Sequence, residues 1–208
     1  QTGLLPATVA FHAAAHPHTM PVVKLALNTA LLPRFVDPLP LLSMARPNGV
    51  KAHPQKPNEQ IPFYRLPLRE CHSKVHRDLP PTRFWGFGGT SPGPTIEVQS
   101  GQPILVEWAN ELPAKHFLPI DYALHGAGKD MPEVRGVVHV HGGRTPPESD
   151  GYPETWYVPG RSATYFYPNQ QEAALLWYHD HTIGINRLNV FAGLFGLYVV
   201  RDAFEQSL

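Results

Sequence analysis

Trp177-Tyr178-His179-Asp180-His181 is the stretch from which the rest of the chain is read. Two histidines one residue apart project from the same face of a β-strand, because side chains alternate with period two. Such a pair can grip one metal ion, or two neighbouring ions, without bending the backbone. The preceding run, Ala173-Ala174-Leu175-Leu176-Trp177-Tyr178, is apolar and aromatic, and reads as a buried strand delivering the pair to a core edge. The same device occurs upstream as His139-Val140-His141, after Val137-Val138 and before Gly142-Gly143. Four imidazoles on two strands can converge on one nitrogen-rich metal centre. By the same alternation Asp180 points to the opposite face and is a poor ligand.

Outward from these pairs the pattern is of short strands. Phe63 to Cys71 alternates loosely, with Pro67 pointing to an edge position. Arg83 to Phe87 is followed by a turn cluster, Gly88-Gly89 and Ser91-Pro92-Gly93-Pro94. Thr95 to Val98 and Ile104 to Trp108 alternate across Ser100-Gly101. Val137 to His141, Thr164 to Tyr167, Ala174 to His179 and Leu194 to Arg201 complete the set. This arrangement predicts an all-β Greek-key sandwich or barrel over 61–208. Residues 1–60 lack a sustained period and read as a largely irregular N-terminal arm, with one short helix between Val22 and Leu32. His12, His16, His18 and His53 lie in that arm and are expected to be solvated.

The bulk composition agrees with short strands joined by turns. Pro (24) and Gly (17) make about a fifth of the 208 residues, which disfavours long helices. Lys plus Arg equals Asp plus Glu, at 17 each, so no global charge recommends nucleic acid or an anionic membrane as a partner. No apolar run reaches the roughly 18 residues of a membrane span. The chain starts at Gln1 rather than Met and is read as processed, trimmed or a fragment. Cys71 is the only cysteine, so no intrachain disulfide is available.

Neutral imidazole suits copper, zinc, iron and nickel, so histidine alone does not name the metal. The absence of cysteine near either pair removes zinc-ribbon and iron–sulfur readings. Glycines 142 and 143 are expected to turn the chain where side chains would crowd the metals. Trp177 and Tyr178 read as core and wall. His116 and His125 lie in loops without a partner pair and read as non-ligands, and Arg187-Leu188-Asn189 as support for domain packing.

At this point the sequence resembles a known family. His139-Val140-His141-Gly142 and Trp177-Tyr178-His179-Asp180-His181 resemble the two N-terminal copper motifs of multicopper oxidases. His76-Arg77-Asp78-Leu79-Pro80-Pro81-Thr82-Arg83, Pro92-Gly93-Pro94-Thr95-Ile96-Glu97-Val98, Ser149-Asp150-Gly151-Tyr152-Pro153-Glu154 and Tyr167-Pro168-Asn169-Gln170-Gln171 resemble the bacterial spore-coat laccase branch, close to bilirubin oxidases and phenoxazinone synthase. The likeness runs from roughly Phe35 to Asp202. It implies a cupredoxin domain, the first of three in such an oxidase. It further implies His139 as a ligand of the type 2 copper, with His141, His179 and His181 on the paired type 3 coppers. The three ions form the trinuclear centre that reduces dioxygen to water. Asp150 matches a family aspartate near the type 2 copper and its water, where a carboxylate could relay protons as a catalytic residue.

The family's His-Cys-His stretch for the electron-accepting type 1 copper is not found. Glu70-Cys71-His72 has no downstream methionine at suitable spacing, and Cys71 reads as a strand residue. The resemblance therefore implies half of a trinuclear site and no electron-entry site. The remaining cupredoxin domains, dioxygen and a small aromatic reductant (phenol, aromatic amine or pigment) are the expected partners. An extracytoplasmic or spore-coat-like location is implied by the resemblance alone. Two other readings stay open: a non-catalytic copper-binding β-sandwich, and a mononuclear metal hydrolase or oxygenase with three histidines and an open position.

Overall fold

Among the described residues nine strands form two sheets, and inward-facing aromatic and branched residues close them over a shared core. The computed structural model describes residues 27 and 29–208. Residues 1–35 and 36–208 form separate units. In the first, Thr29–Leu31 makes one 3-10 turn where a helix is expected between Val22 and Leu32; Leu27 and Leu32 are not helical, and residues 22–26 and 28 lie outside the described residues. His12, His16 and His18 also lie outside them.

The second unit contains β1 (Gly49–His53), β2 (Lys56–Ser73), β3 (Thr82–Phe87), β4 (Gly93–Gln99) and β5 (Ile104–Asn110), then β6 (Val138–His141), β7 (Ser162–Tyr167), β8 (Ala174–Asp180), helix α1 (Asn186–Ala192) and β9 (Phe195–Arg201). One sheet has the order β1-β2-β5-β7, with β3 also paired to β2; the other runs β4-β9-β8-β6. The parallel pairs β2/β5 and β4/β9 join strands far apart in sequence, the long-range connectivity of a Greek-key sandwich.

β9 shows the local logic most plainly. Gly196, Tyr198 and Val200 are buried while their neighbours are half-exposed, so each strand turns one face inward. Phe87, Trp108 and Tyr178 meet at the centre with ring centroids 5.0–5.3 Å apart, joining β3 and β5 of one sheet to β8 of the other. The Tyr178 hydroxyl donates to the Pro94 carbonyl at 2.7 Å, so its buried polar end is satisfied.

Residues 49–60 differ from the irregular arm expected of them. β1 pairs with the start of β2, from Gly49 opposite Phe63 to His53 opposite Lys56. Apart from His53 and Ile61 the paired stretch is largely exposed and polar, so no apolar alternation marks it. His53 is buried rather than solvated, its ring edge-on to Phe166 at 4.9 Å. Pro67 lies where Tyr64–Pro67 pairs only with β5, between the part of β2 taken by β1 and the part taken by β3. Its missing N–H falls at a local edge within an otherwise inner strand.

Candidate metal centre

The antiparallel register of β6 and β8 sets His139 opposite His179 and Val138 opposite Asp180. Val138 and Val140 are buried, which turns His139 and His141 outward. β6 is the end strand of its sheet, so the histidines stand at an edge that another element can approach. His181 follows just after β8. The four imidazoles form a closed group. His139 and His181 stack at 4.8 Å, and the other contacts around the group, 139–141, 141–179 and 179–181, are 5.6–5.7 Å.

The hydrogen bonds of three rings choose their tautomers. His139 Nδ1 lies 2.6 Å from the Asp150 carbonyl, His179 Nδ1 2.6 Å from the Asp180 carbonyl, and His181 Nδ1 3.0 Å from the Gly151 carbonyl. A carbonyl only accepts, so each Nδ1 donates and each neutral ring keeps its free lone pair on Nε2. His141 presents Nδ1 at 3.5 Å from His179 Nε2. Burial, reinforced by the other three imidazoles, lowers the pKa of His179 to about 4, and its bond to the Asp180 carbonyl acts the other way. The ring is therefore neutral near pH 7.

Two of those carbonyls come from one loop. After β6, Gly142 turns with φ +85°, and the neighbour a side chain would meet there is Leu176; at Gly143 it would be Val140. Both glycines serve the turn and its close packing. A 3-10 turn, Pro147–Ser149, then brings the chain back, and buried Ser149 accepts the Phe166 N–H at 2.9 Å, pinning the loop to β7. Gly151 rests against β6 so closely that a Cβ would stand 2.0 Å from the Val138 carbonyl oxygen. The loop thus presents the Asp150 and Gly151 carbonyls to His139 and His181.

Asp150 lies beside the group, with Oδ1 accepting the Thr145 hydroxyl at 2.7 Å and standing 3.5 Å from His139 Nδ1. It approaches the Nδ1 edge of that ring, not Nε2. Trp177 stacks on His179 at 4.0 Å and 24°, and reaches His141 at 5.7 Å, forming a wall for one side. Cys71 is buried in β2, where desolvation first and Glu70 second raise its pKa. His116 bonds Asn189 and packs at a tilt against Trp85, with no ring contact to the four histidines, while Asn189 on α1 is buried.

Sequence reasoning missed three polar groups beneath the site. Asp180 is fully buried, which raises its carboxyl to about 6, while hydrogen bonds from Thr182, Asn189 and Val137 oppose the shift. Arg135 is buried too and donates to the Gly126, Ile183 and Pro132 carbonyls. Ser149 gives no warning in a loop of ordinary polar composition. Among the described residues, no group of three or more His, Cys, Asp or Glu side chains is set to hold a metal ion by itself.

The multicopper oxidase family model matches residues 71–134 and 130–204. The chain belongs to the multicopper oxidase family. It is 48% identical over 185 residues to a laccase of Bacillus stratosphericus, covering 85% of this chain and 35% of that protein. It is 46% identical over 187 residues to a laccase of Bacillus subtilis (strain 168), again covering 85% of this chain and 35% of that protein. The chain spans about a third of the length of the curated relatives it matches. Among solved structures, a laccase from Pediococcus acidilactici superposes with a TM-score of 0.66 at 24% identity, covering 85% of this chain and 32% of that one. That likeness shows the fold, an all-β cupredoxin-like sandwich.

Membership of this oxidoreductase family implies copper binding. The donor set fits: carbonyl-bound Nδ1 groups leave Nε2 of three imidazoles unprotonated, and imidazole is a good copper ligand. No helix among the described residues is long and apolar enough to cross a membrane.

Proposed function

We propose that this chain is the first cupredoxin domain of a laccase-like multicopper oxidase and supplies half of its trinuclear copper site. His139 would hold the type 2 copper, and His141, His179 and His181 the type 3 pair. Further cupredoxin domains would bring the other histidines and the type 1 copper. The observation that carries this reading is the closed group of four imidazoles at the β6 edge. A half-site open at a sheet edge suits completion from another domain.

Copper bound there would supply one-electron redox chemistry, coupling oxidation of a phenolic, aromatic-amine or pigment substrate to reduction of dioxygen to water. This chain's residues act around that chemistry. The Asp150, Gly151 and Asp180 carbonyls hold the imidazole planes and keep each Nδ1 proton in place. Trp177 shields His179 from water. Asp150 Oδ1, partly exposed beside His139 Nδ1, is placed to carry protons between solvent and the site, since dioxygen reduction consumes them.

Copper content and dioxygen uptake test the reading. The isolated 208-residue chain should oxidise a phenol no faster than free copper, while a polypeptide of the relatives' length should turn over with a full copper complement. Sustained, copper-dependent turnover by the isolated chain would overturn the half-site reading. Copper binding without dioxygen uptake in the longer protein would favour a copper-binding module instead.

A further inference from the structure

Asp180 lies between two of the histidines, yet its side chain turns the other way into a buried polar hub. Oδ1 accepts the Val137 N–H at 3.3 Å and the Thr182 hydroxyl at 2.8 Å; Oδ2 accepts the Thr182 N–H at 3.1 Å. Val137 stands two residues before His139, and Thr182 directly follows His181. One carboxylate therefore fixes the backbone flanking both histidine pairs.

The neighbouring groups brace the same points. Asn189 Nδ2 donates to the Arg135 carbonyl at 3.1 Å, on the approach to β6. The Arg135 guanidinium donates to the carbonyl of Ile183, just beyond His181, at 3.1 Å, and to the Gly126 carbonyl at 2.5 Å. His181 lies one residue past β8, where its N–H still bonds the Val137 carbonyl at 2.8 Å, so the Asp180 contacts to Val137 and Thr182 brace both sides of that bond. The named contacts to Asp180 bring donors to both of its oxygens, which calls for a group that accepts through both. An amide would turn an NH2 against one of those donors.

We propose that Asp180 is a positioning residue of the copper centre: through Val137 and Thr182 it locks the end of the β6–β8 pairing, and so holds the orientation of His139 and His181 that the register brings together, without itself touching metal. This rests on the four-histidine reading above. A loss of this hub would let His139 and His181 shift against each other while the sandwich core, built from β2 to β9, persists.

The test uses the copper-loaded full-length protein carrying Asp180→Asn, Thr182→Val or Thr182→Ser. Copper retention is measured against a chelator, the paramagnetic copper by electron paramagnetic resonance, and the copper-free protein by thermal unfolding. Asp180→Asn and Thr182→Val should weaken copper retention by about 10- to 100-fold, the range for groups that orient metal ligands, and change the copper hyperfine splitting. Thr182→Ser, which keeps the hydroxyl, should restore both. Lowered unfolding temperatures with unchanged copper retention and spectrum would make the hub merely structural and overturn the proposal. Failure of Asp180→Asn to fold would leave Thr182→Val against Thr182→Ser to decide. If His179→Ala retained copper as the parent does, the four-histidine reading itself would fall, an outcome distinct from failure of the hub.

Discussion

Replacing Gly151 with alanine perturbs the loop that orients His139 and His181, and its cost can be worked from two separable terms. The first is conformational. Gly151 has φ +77°, the left-handed region, where a Cβ costs about 1–2 kcal/mol. The second is the close approach to β6: the new Cβ would stand 2.0 Å from the Val138 carbonyl oxygen and 3.2 Å from His139 Cα. Both neighbours are backbone, so the loop has to move. That movement takes the Asp150 and Gly151 carbonyls from His139 and His181, two hydrogen bonds worth roughly 0.5–1.5 kcal/mol each. The two terms together predict a loss of about 2–5 kcal/mol. Gly160→Ala separates them, because Gly160 has φ +85° with nothing within 4 Å of the added Cβ. It should show the conformational term alone. Urea unfolding of the copper-free protein, followed by tryptophan fluorescence, gives both stabilities, and copper content after loading gives the effect on the site. Gly151→Ala should lose more stability than Gly160→Ala and should bind copper poorly. Equal stabilities with full copper loading would refute the account of the loop as a carbonyl rack for the imidazoles.

Three further outcomes are expected. His179→Ala or His181→Ala in the full-length protein should deplete the type 3 copper and stop dioxygen uptake while substrate still reduces the type 1 copper; His139→Ala should empty mainly the type 2 position, and loss of the blue absorption in all three would defeat the assignment. Asp150→Asn keeps the bond to Thr145 but removes the charge, and should slow turnover by about 10- to 1000-fold with copper content unchanged; parent-like turnover would leave Asp150 as a turn residue. Glu111 is held below the ordinary glutamate value of 4.5, first by its hydrogen bond from Arg65 and also by Arg69. A depressed carboxyl stabilises the fold above its unfolded value and loses that contribution as the pH falls, so Glu111→Gln should flatten the acid-side decline in unfolding temperature; an unchanged acid limb would remove Glu111 as a contributor.

The histidine pairs were legible because period two is a property of the backbone and needs no tertiary knowledge. The same period correctly turned Asp180 off the histidine face. It could not say what lay on the other side, since alternation gives a direction and not the depth of the core in that direction. Strands with apolar alternation, such as β9, were likewise readable. β1 was not: from Gly49 to Ala52 it is exposed, so its sequence carries no record of the pairing that forms it. Helix α1 was missed for a related reason. It has seven residues and no side-chain cap at its start, and is held by tertiary contacts such as those of buried Asn189.

Much of what holds the centre together is backbone carbonyl oxygen, and that explains where sequence reading stopped. A carbonyl that orients an imidazole is present on every residue, so its use leaves almost no mark in the choice of side chain. The exception is steric. Where a loop must press its backbone against a strand to deliver two carbonyls, one position cannot carry a Cβ, and here that position is Gly151. The Asp150-Gly151 pair therefore holds two different kinds of information: an acid open to a chemical role beside His139, and a glycine required by the distance between chains. Substituting each in turn separates them, because Asp150→Asn leaves the backbone path and both carbonyls in place while Gly151→Ala leaves the acid but displaces its support. Copper retention should follow the glycine, and proton-dependent turnover should follow the acid.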